Sequence, residues 1–310
     1  MGRDKASRIG LALGGGGARG LAHIGVLKVL EREKIPVTCI AGTSMGSIMG
    51  AMYAQLRSAR AVEERIRNYF SSDRYRDLSR RMAGVKNKDD ANTGILDRMY
   101  AFMKQTYMVK KAFSEPALLE RGILDSALRS LLDEEDIRDL RIPFAAVATD
   151  LWKGEEVALR RGSIRKSVSA SAGIPGTFPP MEQDGRFLVD GAVVQMVPVR
   201  EARRLGADKV VAVDVTRELV RPPSFKNGLE VMFRADEITN FRLNEANLSG
   251  ADVVIRPKMG NIHWASFELM DDIIRRGEAA AEEKLADLRA LTAPAGRRWF
   301  RFLSRLRFGR

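Results

Sequence analysis

The feature that most constrains the fold is the alternation of short apolar runs with helical periodicity over the first 56 residues. Residues 8–13 ("RIGLAL") are typical of a short buried strand, and after four glycines apolar residues recur at helical spacing through residues 18–34. A second apolar run, "VTCIAG", leads directly into "SMGSIMGAMYAQL", which is typical of another helix. The order strand, helix, strand, helix predicts a parallel sheet flanked by helices.

The rest of the chain returns to this pattern after an interruption. Residues 57–139 have helical segments mixed with polar, basic and aromatic residues, and strand-like runs resume at residues 143–151. Later strand-like runs are "EEVALRRG", "RFLVDGAVV", "KVVAVDV" and "ADVVIRP", and a long helix is predicted over residues 271–291. We therefore predict one α/β domain over residues 1–293 with a helical insertion at about residues 57–139, followed by a basic tail at residues 294–310.

The charge of the chain predicts an anionic partner. The formal net charge is +12, and the last fourteen residues contain six arginines and no acidic residue. Nucleic acid, a membrane surface or an acidic ligand would each fit this balance. No apolar run approaches the ~18 residues of a membrane-spanning helix, the N-terminal residues do not fit a signal peptide, and Cys39 is the single cysteine. These features predict a cytoplasmic protein without disulfides.

The glycine run "GGGGARG", at residues 14–20, has three competing interpretations. Gly15, Gly17 and Gly20 satisfy G-x-G-x-x-G between a strand and a helix, which is the context of a dinucleotide site, but the acidic residue expected about 20 residues later is missing. A tight turn with close packing accounts for one or two of the glycines. The third interpretation is a set of backbone amides aimed at an oxygen that becomes negative during a reaction.

The pentapeptide "GTSMG", at residues 42–46, provides a candidate nucleophile for such a reaction. It fits G-x-S-x-G at a strand-to-helix junction, where a sharp turn exposes the hydroxyl of Ser44 and the glycines relieve crowding. The alternative is that Ser44 caps the helix that begins at Met45.

A serine needs a base to accept its proton, and the chain has only two histidines. His23 lies in the helix after the glycine run, where a packed core histidine is the simpler interpretation. His263 follows Ser44 and Asp190 in the chain order of α/β-hydrolases, but it lies in a predicted loop.

An aspartate at a tight turn is the other candidate base. "FLVDGAVVQMVP" places Asp190 at the end of an apolar run, and Gly191 and Ala192 allow another backbone to approach closely. The dipeptide Asp-Gly is also a common turn signal, so this stretch alone leaves both interpretations open. Asp150 and Asp214, also at strand ends, are lesser candidates.

The order of "GGGGARG", "GTSMG" and "DGA" within residues 9–213 resembles that of the patatin-like phospholipase family, in particular its bacterial members. "SASAGIPGTFPP" is similar to the proline-containing segment of the family. The resemblance implies a three-layer α/β/α fold with a mostly parallel central sheet. It also implies a serine–aspartate dyad without histidine. Plant members begin the loop with aspartate, whereas this chain has Gly14, a difference that touches no catalytic group.

Carried over by position, the resemblance implies hydrolysis of a lipid acyl ester, as in a phospholipase A or a lysophospholipase, through an acyl-enzyme. No metal and no cofactor is expected. Transfer of the acyl group to an acceptor other than water stays open. The implied roles are Ser44 as nucleophile, Asp190 as base, the backbone of Gly15, Gly16 and Gly17 as the oxyanion hole, and Arg19 as support for the loop.

The basic tail suggests contact with an anionic membrane. As a helix, "RRWFRFLSRLRF" would separate apolar from basic side chains, as in helices that lie in a membrane interface. The alternatives are a helix packed on the domain and a tail without structure, and the basic segment at residues 57–88 is either a lid, a lipid-facing surface or a solvated face. The predicted membrane contacts are Arg298, Trp299, Phe302 and Arg305.

Two other classes of protein remain open. A nucleotide-dependent oxidoreductase would use the glycine fingerprint, and a noncatalytic protein that binds nucleic acid or membrane would use the charge. Neither interpretation uses all three motifs, and we expect no nucleic-acid partner. Head group, chain length, ester position and oligomeric state are not encoded in these patterns.

Overall fold

The computed structural model describes residues 7–76, 114–219, 224–225 and 227–292. Within these residues the chain forms one eight-stranded sheet with strand order β5-β6-β3-β2-β1-β7-β8, and β4 pairs with β3. The strands are β1 (Ile9–Leu13), β2 (Cys39–Thr43), β3 (Phe144–Asp150), β4 (Glu155–Leu159), β5 (Met181–Gln183), β6 (Arg186–Asp190), β7 (Lys209–Val213) and β8 (Val253–Ile255).

The central strands are parallel, as the sequence predicts. β1 pairs in parallel with β2 and β7, and β3 continues the parallel arrangement beside β2. β4, β5 and β6 form the antiparallel part of the sheet. Crossover helices connect the parallel strands, and they are the reason that both faces of the sheet are covered.

Nine α-helices lie within the described residues. They are α1 (Ala22–Arg32), α2 (Met45–Leu56), α3 (Ala59–Ser71), α4 (Arg121–Leu131), α5 (Ile164–Ser171), α6 (Val199–Arg204), α7 (Gly228–Leu248), α8 (Met270–Glu283) and α9 (Leu285–Thr292). None of the described helices is long and apolar enough to cross a bilayer.

Two hydrophobic clusters lie on opposite faces of the sheet. Leu11 and Leu13 of β1 face the larger cluster, with α1 and α2, whereas Ala12 of the same strand faces the smaller one, with Val199 and Ala202 of α6. Alternate residues of a strand point to opposite faces, so the two clusters are separated by the sheet. The three-layer α/β fold class is confirmed.

The predicted insertion is partly built into the same core. Val62 and Ile66 of α3, and Leu124 and Leu128 of α4, are buried in the larger cluster with the apolar residues of α1 and α2. The described ends of this segment are therefore part of the domain rather than an appendage. Residues 77–113 of the segment lie outside the described residues.

The last part of the chain differs from the sequence prediction in two places. The helix predicted over residues 271–291 is two helices, α8 and α9, which are separated at Lys284. The longest of the described helices, α7, was not predicted, because its apolar residues do not form a stripe: Val231, Met232 and Phe233 are consecutive and all exposed.

Candidate active site

Ser44 lies at a sharp turn between β2 and α2. Its backbone has φ 54° and ψ −125°, outside the regions that a residue with a side chain prefers. A strained backbone of this kind persists only where the surrounding structure fixes it, and it is frequent at functional sites. The Ser44 side chain makes no hydrogen bond to the first turn of α2, so the capping interpretation is wrong.

The two glycines of the motif make this turn possible. A Cβ atom at Gly46 would lie 2.1 Å from the Leu13 carbonyl oxygen, and a Cβ at Gly42 would lie 2.5 Å from the Gly46 carbonyl oxygen. These separations are much shorter than a van der Waals contact, so no side chain fits at either position. The pattern G-x-S-x-G therefore reflects close backbone contact between β1, β2 and α2.

The sheet register explains how Asp190 reaches Ser44. Thr43, the last residue of β2, pairs with Val147 of β3, and Asp190, the last residue of β6, pairs with Ala148. Because β4 occupies the other edge of β3 at both positions, β2 and β6 share one edge of β3 and meet end to end. The chain turns at Ser44, next to Thr43, so the topology brings the serine and the carboxylate together.

Asp190 is a buried carboxyl group, with 3% of its surface exposed. Burial raises its pKa to about 6, while a hydrogen-bonding interaction with the Ser44 side chain and the Ala192 amide favour the ionised form. The Ala192 amide donates to Oδ1 at 2.9 Å. Since burial outweighs these donors, the carboxylate is more basic than an exposed aspartate and is still ionised at neutral pH.

The two histidines occupy other environments. His23 is fully buried, and its Nε2 donates to the Gly14 carbonyl oxygen at 2.8 Å, because a carbonyl can only accept. Burial lowers the pKa of His23 to about 4, so it is neutral and supports the glycine loop. His263 is exposed in the loop between β8 and α8, where its Nδ1 accepts from the Ala265 amide at 3.3 Å.

The other candidate aspartates are engaged in structural contacts. Asp150 accepts from the Trp152 amide at 2.9 Å in the turn after β3. Asp214 accepts from the Thr216 hydroxyl at 2.7 Å and from Arg256 at 3.2 Å. Asp190, by contrast, is the hydrogen-bonding partner of the Ser44 side chain.

The glycine run forms a loop beside Ser44. A Cβ atom at Gly15 would lie 3.0 Å from the Ser44 Cβ, so the loop backbone contacts the serine. The Gly15 amide already donates to the Met196 carbonyl oxygen at 3.1 Å. The amides of Gly16 and Gly17 have no acceptor within the part of the chain that the structure describes. Of the three amides expected from the sequence, two are therefore available to a ligand.

The Arg19 side chain stabilises the glycine loop. Its Nε donates to the Gly16 carbonyl oxygen at 3.2 Å. Gly17 is in the left-handed region with φ 58°, and a Cβ there would lie 2.3 Å from the Trp264 carbonyl oxygen, which accepts from the Ala18 amide. The loop is therefore fixed on one side by Arg19 and on the other by the segment before α8.

The "SASAG" segment, at residues 169–173, connects the two halves of the site. The Ser44 amide donates to the Ser171 hydroxyl at 3.1 Å, and this hydroxyl donates to the Val147 carbonyl oxygen at 2.6 Å. Two residues later, the Gly173 carbonyl oxygen accepts from the Asp190 amide at 2.9 Å. Ser171 is thus a positioning residue that sequence reasoning missed, and the run of small residues at the end of α5 was its only signal.

Replacing Ser171 by alanine tests this role. The variant would leave the buried Ser44 amide without its acceptor and remove one hydrogen bond from the Val147 carbonyl, which costs about 1–3 kcal/mol of unfolding free energy. A small displacement of the serine would also lower kcat by about 10- to 100-fold. Urea unfolding and esterase kinetics measure the two effects. Ser167→Ala, another buried serine of α5, is the matched control, and equal kinetics for the two variants would refute the positioning role.

The predicted membrane contacts Arg298, Trp299, Phe302 and Arg305 lie outside the described residues.

The site combines a serine with a strained backbone, a buried aspartate and a glycine loop within an α/β fold. Comparison with known proteins identifies the family. The family model for patatin-like phospholipase matches residues 11–203. The chain belongs to the patatin-like phospholipase family.

The sequence identity to individual relatives is about one third. The chain is 34% identical over 209 residues to the patatin-like phospholipase domain-containing protein 6 of Homo sapiens, an alignment that covers 67% of this chain and 13% of that protein. It is 31% identical over 218 residues to an uncharacterized NTE family protein of Mycobacterium tuberculosis, covering 68% and 50% respectively. The chain thus spans no more than half the length of these two relatives. The crystal structure of VipD from Legionella pneumophila is similar with a TM-score of 0.45 at 15% identity, covering 92% of this chain and 67% of that chain.

Proposed function

We propose that the protein is a serine hydrolase that cleaves acyl esters of membrane lipids, as a phospholipase A or lysophospholipase does. The observation that carries the proposal is the Ser44 hydroxyl beside the buried carboxylate of Asp190, next to loop amides that have no acceptor among the described residues. Membership of the patatin-like phospholipase family supports a lipid ester as substrate. Close contact between Gly15 and Ser44 favours the oxyanion role of the glycines over nucleotide binding.

The first half of the reaction forms an acyl-enzyme. Ser44 Oγ attacks the ester carbonyl carbon while its proton passes to Asp190, so one C–O bond forms and the carbonyl oxygen becomes negative. The amides of Gly16 and Gly17 donate to this oxygen. When the intermediate collapses, the ester C–O bond breaks and Asp190 returns the proton to the leaving alcohol.

The second half regenerates the enzyme. A water molecule gives one proton to Asp190 and attacks the acyl carbon, and the bond to Ser44 Oγ then breaks as the serine recovers its proton. The products are a carboxylic acid and free enzyme. The same carboxylate serves as base and acid in each half, which a group with a pKa near neutrality does efficiently.

A fluorophosphonate probe tests this proposal directly. The probe should label the protein at Ser44, because it reacts only with an activated serine, and mass spectrometry of the digest should place the label on that residue. A panel of phospholipids, lysophospholipids, neutral lipids and thioesters then identifies the substrate class. Absence of labelling, together with absence of hydrolysis across the panel, would refute the proposal.

We also propose that residues 297–310 bring the enzyme to an anionic membrane as a peripheral protein. Six arginines in this segment would each add roughly 1 kcal/mol near an anionic surface. Deleting the segment should weaken binding to vesicles that contain anionic lipid by at least tenfold, measured by co-sedimentation. Vesicles of neutral lipid are the control, and unchanged binding to the anionic vesicles would contradict the anchor.

A further inference from the structure

A cavity with a volume of about 320 Å³ lies beside the glycine loop. Its walls come from the loop, from the segment after β7, from α7 and from the loop before α8. The residues that matter here are Arg19, Met196, Arg217, Asn244, His263 and Trp264. This volume is at the lower end of ligand pockets and suits a polar head group better than an acyl chain.

The cavity is close to the candidate nucleophile. Met196 lines the cavity. A Cβ atom at Gly15 would lie 3.2 Å from Met196 Sδ and 3.0 Å from the Ser44 Cβ, so Gly15 is close to both side chains. Trp264 also lines the cavity, and its carbonyl oxygen holds the loop by accepting from the Ala18 amide. A ligand in the cavity would therefore be separated from Ser44 by the glycine loop.

Two cations, Arg19 and Arg217, line this cavity together with the carboxylates of Asp236 and Glu237. Arg19 uses Nε to hold Gly16, which leaves its two terminal nitrogens available, and Arg217 is exposed at the cavity wall. Burial and then the nearby charge of Arg217 lower the pKa of Arg19 to about 10, while the charge of Asp214 opposes this change. No carboxylate within the described ranges forms an ion pair with either arginine.

The acidic groups near the cavity have other partners. Glu237 pairs with Arg234 at 2.8 Å, and Asp236 accepts from Asn240 at 2.9 Å. Asp214, whose charge acts on Arg19, accepts from Arg256 at 3.2 Å. Among the described residues none of these acids forms an ion pair with Arg19 or Arg217, so both guanidinium groups can bind an external anion.

Asn244 gives the cavity a second unsatisfied group. It is 2% exposed, and its Nδ2 donates to Asp214 at 3.2 Å, while its Oδ1 has no partner among the residues the structure describes. A buried amide oxygen without a donor is uncommon in folded proteins. A ligand or water that brings a hydroxyl group to the cavity would satisfy it.

We propose that this cavity binds the phosphate of a phospholipid head group, through Arg19 and Arg217, while the adjacent ester lies at Ser44. Guanidinium groups bind phosphate through paired charge-assisted hydrogen bonds. A phosphate bound by both arginines would offset the repulsion between their two positive charges. Asn244 would accept from a hydroxyl beside the phosphate, as in a glycerol head group. This inference rests on the proposed function and makes phosphate-bearing esters the preferred substrates.

The test compares a phosphate-bearing with a neutral ester. Arg217→Ala should lower the ratio of kcat/KM for dihexanoyl phosphatidylglycerol to that for p-nitrophenyl butyrate by at least tenfold, mainly through KM for the phospholipid, and Arg217→Lys should restore part of the ratio. The matched control is Arg60→Ala, a highly exposed arginine on α3, which should leave the ratio as in the wild type. An unchanged ratio in Arg217→Ala would overturn the inference.

Direct binding separates this inference from the proposed function. Titration calorimetry should detect sn-glycerol 3-phosphate binding to the wild type, weakened at least tenfold in Arg217→Ala, whether or not the protein hydrolyses any ester. Absence of this binding overturns the cavity assignment, whereas absence of p-nitrophenyl butyrate hydrolysis overturns the proposed hydrolase. If inorganic phosphate binds but the substrate ratio does not depend on Arg217, the site serves free phosphate and the head-group role is wrong.

Discussion

Ser44→Ala should lower kcat for ester hydrolysis by at least about 10⁴-fold while the protein remains folded. The alanine lacks the oxygen that forms the acyl-enzyme, and neither the glycine loop nor Asp190 can replace it. Since the side chain makes no hydrogen bond to α2, removing the hydroxyl leaves the helix start unchanged. Stopped assays with the best substrate of the lipid panel, and thermal unfolding, measure the two quantities.

Two controls make the result of Ser44→Ala interpretable. Ser167→Ala removes another buried hydroxyl and should keep both activity and fluorophosphonate labelling. The Ser44→Ala variant should lose the label completely. If Ser44→Ala still hydrolysed ester and the probe labelled another residue, the active site would lie elsewhere in the protein.

Local motifs allowed much of this site to be predicted from the sequence. The turn around Ser44 depends on glycines within two residues of it, so the five residues of the G-x-S-x-G pattern determine most of the geometry of the turn. The Asp-Gly pair and the glycine run are equally local. The alternation of apolar runs predicted a parallel sheet flanked by helices, because each period reports one element, and the resemblance to the family implied the three layers.

The contacts between distant segments could not be predicted in this way. That β2 and β6 meet end to end along β3 depends on strand register, which no local pattern records. Engagement of the Gly15 amide by Met196 depends on a loop 181 residues later in the chain (196 minus 15). Ser171 was missed for the same reason, since a serine in a run of small residues looks like any other helical serine.

The partly built-in insertion illustrates a further limit. Residues 57–139 differ in composition from their surroundings, which suggested a helical insertion within the domain, and the apolar stripes of α3 and α4 are buried in the main core. Composition reports how much polar surface a segment carries, whereas membership of a core depends on where its apolar face is placed. A basic helix can therefore be an integral part of the domain.

Asp190→Asn should lower kcat/KM by about 10²–10⁴-fold and remove the acidic limb of the pH profile. Since the base must be ionised to accept the Ser44 proton, wild-type kcat/KM should rise with pH and level off above an apparent pKa of about 6. Asparagine keeps the size of the side chain but cannot accept a proton. Asp150→Asn, at the end of β3 and equally buried, is the matched control and should keep the profile.

The same substitution should stabilise the protein at neutral pH. Burial raises the pKa of Asp190 from 3.8 to about 6, so the folded state resists the ionisation that the unfolded state undergoes freely. Wild-type stability therefore falls as the pH rises from 3.8 to 6, and the cost above pH 6 is on the order of 3 kcal/mol. Asparagine carries no such cost, so its advantage should be greatest above pH 6 and vanish near pH 4.

Unfolding in urea at pH 4, 6 and 8 measures this advantage, and a constant difference would show that Asp190 does not titrate near pH 6. If Asp190→Asn stayed active while His263→Ala lost activity, the base would be His263. If both effects of Asp190→Asn occur together, one carboxylate links catalysis and instability, because the dehydration that makes it a base is the same dehydration that makes its charge costly in the fold.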